Sequence, residues 1–238
     1  MSTPRLVIVQ TGTAAESLRE VHGDYPQWFM RALGVELPVV RAHEGERLGD
    51  KLDCDGVIVT GSPLSVTERA PWMEALGERL LRVGRAGTPV LGVCFGHQLI
   101  ARAAGGDVVL NPRGREIGTI QVQLTPAGVR DPLFAWARGS ATIHSQATHV
   151  DAVDPLPPGA VLLASNENTP VQAYRLSETI ACVQFHPELS PAGMRDLIAS
   201  RKDKLAAEGR DAQALADAVR ETDSAAILHA FAAQAQQA

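Results

Sequence analysis

The chain has 238 residues, 45% of them hydrophobic, with 22 Lys and Arg against 27 Asp and Glu for a net charge of −5. That length is enough for a core that needs no staples. The negative balance argues against a broad nucleic-acid surface, no stretch approaches the ~20 apolar residues of a membrane helix, and three widely spaced cysteines (Cys54, Cys94, Cys182) argue against a disulfide framework or a Cys-x-x-Cys zinc site.

Met1–Arg5 leads straight into an apolar run with no segment of signal-peptide form, and the unpaired cysteines fit a reducing, cytoplasmic setting. Leu6–Gln10 reads as a buried strand ending in the turn Thr11-Gly12-Thr13. Tyr25–Leu33 reads as a helix stopped by Gly34, and Val35–Val40 as the second strand. Gly56–Thr60 is a third strand, left through Gly61-Ser62-Pro63. Trp72–Val83 carries apolar residues at helical spacing, with Pro71 suited to its first turn. Val90–Val93 is a short strand followed at once by the helical pattern His97–Ala104.

This alternation predicts an α/β fold with an open, largely parallel sheet flanked by helices. Beyond Asp107 the runs Val108–Leu110, Ile117–Leu124, Val161–Ala164, Val171–Leu176 and Ile180–Phe185 are separated by turn residues. They predict a mixed or antiparallel extension of the same sheet. All 15 prolines lie at or before Pro191, so the remainder reads as helical, broken at Gly209. The expected organisation is one domain over 1–198 and a helical extension over 199–238 packed on it. The extension's apolar anchors Leu215, Val219, Ile227, Leu228 and Phe231 are assigned to the core, with a partner-docking or homodimer surface as the alternative.

Cys94 sits between a strand and a helix in Gly92-Val93-Cys94-Phe95-Gly96-His97-Gln98. A side chain projecting from such a sharp turn brings the backbone close at i−2 and i+2, where only glycine fits. Amides at the helix start favour a thiolate, and that of Phe95 can hold an oxyanion. Cys54 and Cys182 lack this frame and read as packing residues. Downstream, Gln184-Phe185-His186-Pro187-Glu188 closes a strand. Residues i and i+2 of extended chain share a side, so His186 can act as base and acid with Glu188 orienting it.

Together these two motifs resemble the class I (triad) glutamine amidotransferases, with a likeness to the glutaminase domain of GMP synthase and its stand-alone relatives. The resemblance spans roughly residues 5–198. It implies flavodoxin-like layers, Cys94 as nucleophile, His186 as base and acid, and Glu188 as its orienter. It puts the second oxyanion donor on the amide of Ser62, where serine replaces the family's glycine. It assigns substrate binding to Gln98 and to the backbone of His144-Ser145-Gln146, placed as the family's His-Gly-Asp/Phe segment, where Ser145 again replaces glycine. No metal and no organic cofactor is implied.

The reaction so predicted is hydrolysis of the glutamine γ-carboxamide through a γ-glutamyl thioester. After residue 198 there is no room for an ATP-binding synthetase domain. A separate synthetase subunit therefore receives the ammonia, or the protein is a stand-alone hydrolase of γ-glutamyl amides or peptides. A binding module without turnover is the reading from another class. His97 reads as packing at the helix start, and His144 and His149 lack the carboxylates or cysteines of a metal site. His22, His43 and His229 have no chemical context, and Trp28, Trp72 and Trp136 read as packing residues. Asn111–Glu116, with Arg113 and Arg115, reads as a solvated loop, with a border of the active-site mouth as the alternative.

Overall fold

A computed structural model of the chain describes residues 5–49 and 51–237. The expectation for the first four residues lies outside that range. The first half alternates as the pattern predicts, with one unexpected helix, α1, added: β1 (Leu6–Gln10), α1 (Glu16–His22), α2 (Tyr25–Leu33), β2 (Val39–Arg41), β3 (Gly56–Val59), α3 (Pro71–Arg85), β4 (Val90–Val93) and α4 (Phe95–Ala103). The second half runs β5 (Val108–Leu110), β6 (Glu116–Leu124), α5 (Pro126–Arg130), β7 (Thr142–His149), β8 (Asp151–Val153), β9 (Val161–Ser165), β10 (Ala173–Arg175) and β11 (Ile180–Val183). Four helices follow: α6 (Pro191–Ser200), α7 (Lys202–Ala207), α8 (Ala212–Asp217) and α9 (Ala226–Ala235).

Nine strands form one sheet in the order β2-β1-β3-β4-β11-β10-β9-β6-β7. From β2 to β11 the neighbours are parallel, and from β11 to β7 they are antiparallel. The mixed extension therefore matches expectation, except that β5 leaves the sheet to pair antiparallel with β8 in a separate two-stranded ribbon. β2 begins at Val39 rather than Val35. Pro38 has no amide to offer a ladder, although its carbonyl still accepts from Ile8 N at 2.9 Å.

Alternation along each strand divides the core. Val57 and Val59 of β3 pack with α3 and α4, while Ile58 faces a cluster containing Phe29 of α2 and Phe231 of α9. A third cluster joins Tyr25 and Trp28 to Leu197, Ile198, Leu205 and Val219. α2 starts on a capping box between Asp24 and Gln27 and stops at Gly34 in the left-handed region. The apolar anchors of the extension serve the chain's own core: Val219, Ile227, Leu228 and Phe231 are buried, and Leu215 packs partly buried against the third cluster. Among the described residues no helix is long and apolar enough to cross a membrane.

Candidate active site

β4 and β11 are parallel neighbours with Val93 opposite Val183, so their carboxyl ends open at one edge. β3 lies on the other side of β4 and ends at the same edge. Loops leaving such ends at the middle of an open sheet are where α/β proteins bind ligands. Cys94 follows β4 by one residue, His186 follows β11 by three, and Gly61-Ser62 follows β3.

The turn at Cys94 is sharp. Its backbone is at φ 50°, ψ −98°, a strained conformation for a residue with a side chain. Both flanking glycines are sterically required. A Cβ on Gly96 would lie 2.7 Å from the Val59 carbonyl oxygen, and one on Gly92 would lie 2.8 Å from the Gly96 backbone. The Cys94 amide is tied to the Val183 carbonyl at 2.9 Å, which holds the elbow to β11. The Phe95 amide opens α4, where no intrahelical carbonyl reaches it.

His186 and Glu188 meet as the i, i+2 spacing predicts: Nδ1 and Oε1 are 2.6 Å apart, and both side chains are buried. His186 N donates to the Gln146 carbonyl at 2.7 Å, which fixes the backbone at the ring. His186 Nε2 has no hydrogen bond from a protein group. Burial alone would depress the imidazole, but Glu188 and Cys94 outweigh it and raise the pKa from 6.5 to about 10. Gly61 closes the cluster: a Cβ there would sit 2.9 Å from His186 Cε1 and 3.6 Å from Cys94 Cβ. The structure thus brings Cys94, His186, Glu188 and the Gly61-Ser62 loop together.

That loop is braced from β1. Thr11 Oγ1 lies within 3.2 Å of the Thr60 and Gly61 carbonyls and of Thr60 Oγ1. Ser62 Oγ donates to the Thr11 carbonyl at 2.9 Å and accepts from Leu64 N at 3.2 Å. The Ser62 side chain faces Gly12 and ties the loop to the end of β1.

The family model described as glutamine amidotransferase class-I matches residues 29–202. The chain belongs to that family. It is therefore a cysteine-dependent amide hydrolase. Similar proteins include gamma-glutamyl peptidase 4 of Arabidopsis thaliana, 28% identical over 87% of this chain and 83% of that one. A glutamine-hydrolyzing GMP synthase subunit of Saccharolobus solfataricus is 36% identical over 67% of this chain and 80% of that one. A glutamine amidotransferase from Thermotoga maritima has the same fold, with a TM-score of 0.76 at 18% identity, covering 100% of this chain and 98% of that one.

Set in this amidotransferase frame, the expected substrate residues divide. Gln98 is buried beside the elbow, and its Nε2 donates to the Asp151 carbonyl and to Gln184 Oε1, both at 3.0 Å. Ser145 and Gln146 are expected to line the pocket through their backbone, and their side chains are committed elsewhere. Ser145 Oγ bonds Ser224 Oγ at 2.9 Å. The Gln146 amide accepts from Thr119 and donates to the Arg220 carbonyl. Gln146 meets the site only through its backbone, and His144 is exposed.

The stretch beside the sulfur lies slightly further along. The Thr148 carbonyl is 4.0 Å from Cys94 Sγ, and the Asp151 side chain bonds Ser65 Oγ at 2.5 Å. His149-Val150-Asp151 matches a His-Gly-Asp segment at both outer positions, a signal that His144-Ser145-Gln146 lacks.

The solvated-loop reading of Asn111–Glu116 is also corrected. Glu116 is buried and bonds His149, Asn166, Thr169 and Gln172, while Arg115 pairs in two-pronged fashion with Glu208 at 2.9 Å. These bonds close the carboxyl end of β7 against the loops around it. His22 and His43 have partners too, in Asp196 and in Thr13 with the Gln10 carbonyl.

The remaining candidates read as packing. His97 is wholly buried against Tyr174, and burial, with His149 adding, pushes its pKa down to about 3, so it stays neutral. Burial raises the thiol of Cys182 to about 12. Trp28 is buried, and Trp72 stacks on Phe95 at 6.1 Å between ring centroids. Among the described residues no three His, Cys, Asp or Glu are grouped to hold a metal.

Proposed function

We propose that the protein hydrolyses the γ-carboxamide of glutamine, or an equivalent γ-glutamyl amide, through a γ-glutamyl thioester on Cys94. The observation that carries this reading is an elbow cysteine and a carboxylate-backed histidine meeting at one edge of adjacent parallel strands. The thiolate of Cys94 attacks the γ-carbonyl carbon, and the amides of Ser62 and Phe95 hold the resulting oxyanion. The His186 imidazolium gives its proton to the departing amine as the C–N bond breaks, leaving the thioester. His186 then takes a proton from water as the oxygen attacks the thioester carbonyl, the C–S bond breaks, and glutamate leaves with the Cys94 thiolate and His186 imidazolium restored. Glu188 keeps the imidazole in the productive tautomer and stabilises its cation. None of these steps calls for a metal or organic cofactor.

In this reading Gln98 supports the pocket by holding Asp151 and Gln184. Ser145 and Gln146 support it by anchoring the 219–224 segment behind β7. A separate synthetase subunit is the proposed receiver of ammonia, as the name of the Saccharolobus relative illustrates. Stand-alone cleavage of γ-glutamyl amides or peptides has its own support in the near end-to-end match to gamma-glutamyl peptidase 4. The cytoplasm is the proposed setting, since all three cysteines are free.

The isolated chain is expected to release glutamate and amine in equal amounts, and Cys94→Ala to lose at least about 10³-fold in kcat. A Cys94→Ala protein that keeps its activity overturns the reading. The ratio of kcat/KM for glutamine to that for γ-glutamyl peptides separates the amidotransferase role from the peptidase role.

A further inference from the structure

Arg201, at the junction of α6 and α7, lies beyond both catalytic motifs in the sequence, yet its side chain reaches the site. Its guanidinium donates to Thr148 Oγ1, the residue whose carbonyl sits 4.0 Å from Cys94 Sγ. Tyr25, at the start of α2, is buried on the same side. Burial lowers the Arg201 guanidinium most and the nearby Arg115 adds to it, while Cys94 and Glu208 oppose both.

Arg201 shares the lack of a counter-ion with Arg79 and Arg210, which donate to backbone carbonyls, but it alone of the three bonds the residue beside the sulfur. Arg115 is paired with Glu208 and Arg175 with Asp131, both partly or largely buried. Among the described residues no carboxylate lies within 4.0 Å of the Arg201 guanidinium. A largely buried, unpaired guanidinium is costly unless an anion completes it, and the flat guanidinium matches a carboxylate two-prongedly. Thr148 supplies the scale. The span from its carbonyl, beside the sulfur, to its hydroxyl, on the guanidinium, is that of one residue. In a γ-glutamyl compound, a similar short chain of carbons separates the reacting carbonyl from the α-carboxylate.

We propose that Arg201 receives the free α-carboxylate of the γ-glutamyl substrate and makes the enzyme selective for donors in which that group is ionised. This rests on the γ-glutamyl thioester reading above and names the feature of the substrate that the site recognises. It applies equally to glutamine and to larger γ-glutamyl amides, because both carry the same carboxylate. A carboxylate on the leaving side would occur only in peptides.

The test compares kcat/KM for glutamine with that for glutamine α-amide, whose α-carboxylate is neutralised, in the wild type, Arg201→Lys and Arg201→Gln. The wild type is expected to prefer glutamine by about 10- to 100-fold, as one charge-assisted contact allows. In Arg201→Gln that preference collapses toward unity, chiefly through KM for glutamine, and Arg201→Lys retains part of it. The rate of Cys94 alkylation by iodoacetamide, which carries no carboxylate, checks that the sulfur site of each variant is intact.

Equal losses on both substrates would mark a merely structural role and overturn the proposal. So would a wild type indifferent to the α-carboxylate, which decides the matter even if a variant fails to fold. A γ-glutamyl alkylamine and a γ-glutamyl peptide form the second arm. If Arg201→Gln impairs only the peptide, the carboxylate read is on the leaving side and the assignment is wrong. A wild type that turns over no γ-glutamyl compound and resists a γ-glutamyl electrophile at Cys94 removes the underlying function, an outcome distinct from lost discrimination.

Discussion

At the scale of single residues, the site depends on a proton held where burial alone would not leave it. His186 is enclosed, yet Glu188 at 2.6 Å and the Cys94 sulfur keep it cationic up to about pH 10. A group raised in this way adds stability that is complete below its ordinary 6.5 and is lost as pH rises through about 10. Turnover should therefore fall on the alkaline side near that value, because the leaving amine needs the imidazolium proton. In Glu188→Gln the carboxylate charge is gone, so the alkaline limb of kcat/KM should move to lower pH and kcat should drop by about 10²- to 10⁴-fold. A pH–rate profile of the two proteins checks both; an unmoved limb would show that Glu188 does not set the charge of His186. Cys94, His186 and Glu188 are legible in the sequence because each sits in a short motif whose spacing has a steric or period-two cause. Arg201 is not, since one arginine in an Ala- and Leu-rich helical tail differs in no local way from its neighbours on solvent. Nor does local pattern show that Ser145 and Gln146 would be drawn off to Ser224 and Arg220. Those partners lie 79 and 74 residues away in the chain.

At the scale of elements, each strand end has a packing reason. β3, β4 and β11 are short apolar runs buried on both faces, so composition alone identifies them. β7 escapes such a reading because Thr142–His149 is mostly polar, yet it pairs with β6 through eight residues. Its polar side chains are satisfied by partners that only the fold supplies. The elbow makes the sharpest prediction here. In Gly96→Val the added atoms collide with Val59, whose carbonyl would lie 2.7 Å from the first of them. β3 and α4 must then separate, and a loss of about 1–3 kcal/mol in denaturant unfolding is expected, with slowed alkylation of Cys94. Wild-type stability and alkylation in that variant would contradict the close approach. α9 offers a second case: Phe231 is 3% exposed against the sheet, so Phe231→Ala should cost about 3–5 kcal/mol by the same measurement.

At the scale of the whole molecule, the parallel half of the sheet gathers three loops at one edge, and the antiparallel half walls that edge with β7 and the segment behind it. The layer order follows from the strand–helix alternation. The final helices do not: their anchors show that they are apolar on one side, but not that α9 enters the core beside α2 while α6–α8 cover another face. The tail is thus part of the scaffold that holds Thr148, Gln146 and Arg201 in place, and the site is built from residues drawn from both ends of the chain. The central event of the proposed function is transfer of a γ-glutamyl group to Cys94. Mass spectrometry of the protein quenched with acid during turnover of a γ-glutamyl amide tests that event directly. The expected result is one γ-glutamyl group on the peptide containing Cys94, released by hydroxylamine and absent from Cys94→Ala. Steady turnover with no adduct on Cys94, and undiminished turnover by Cys94→Ala, would contradict it.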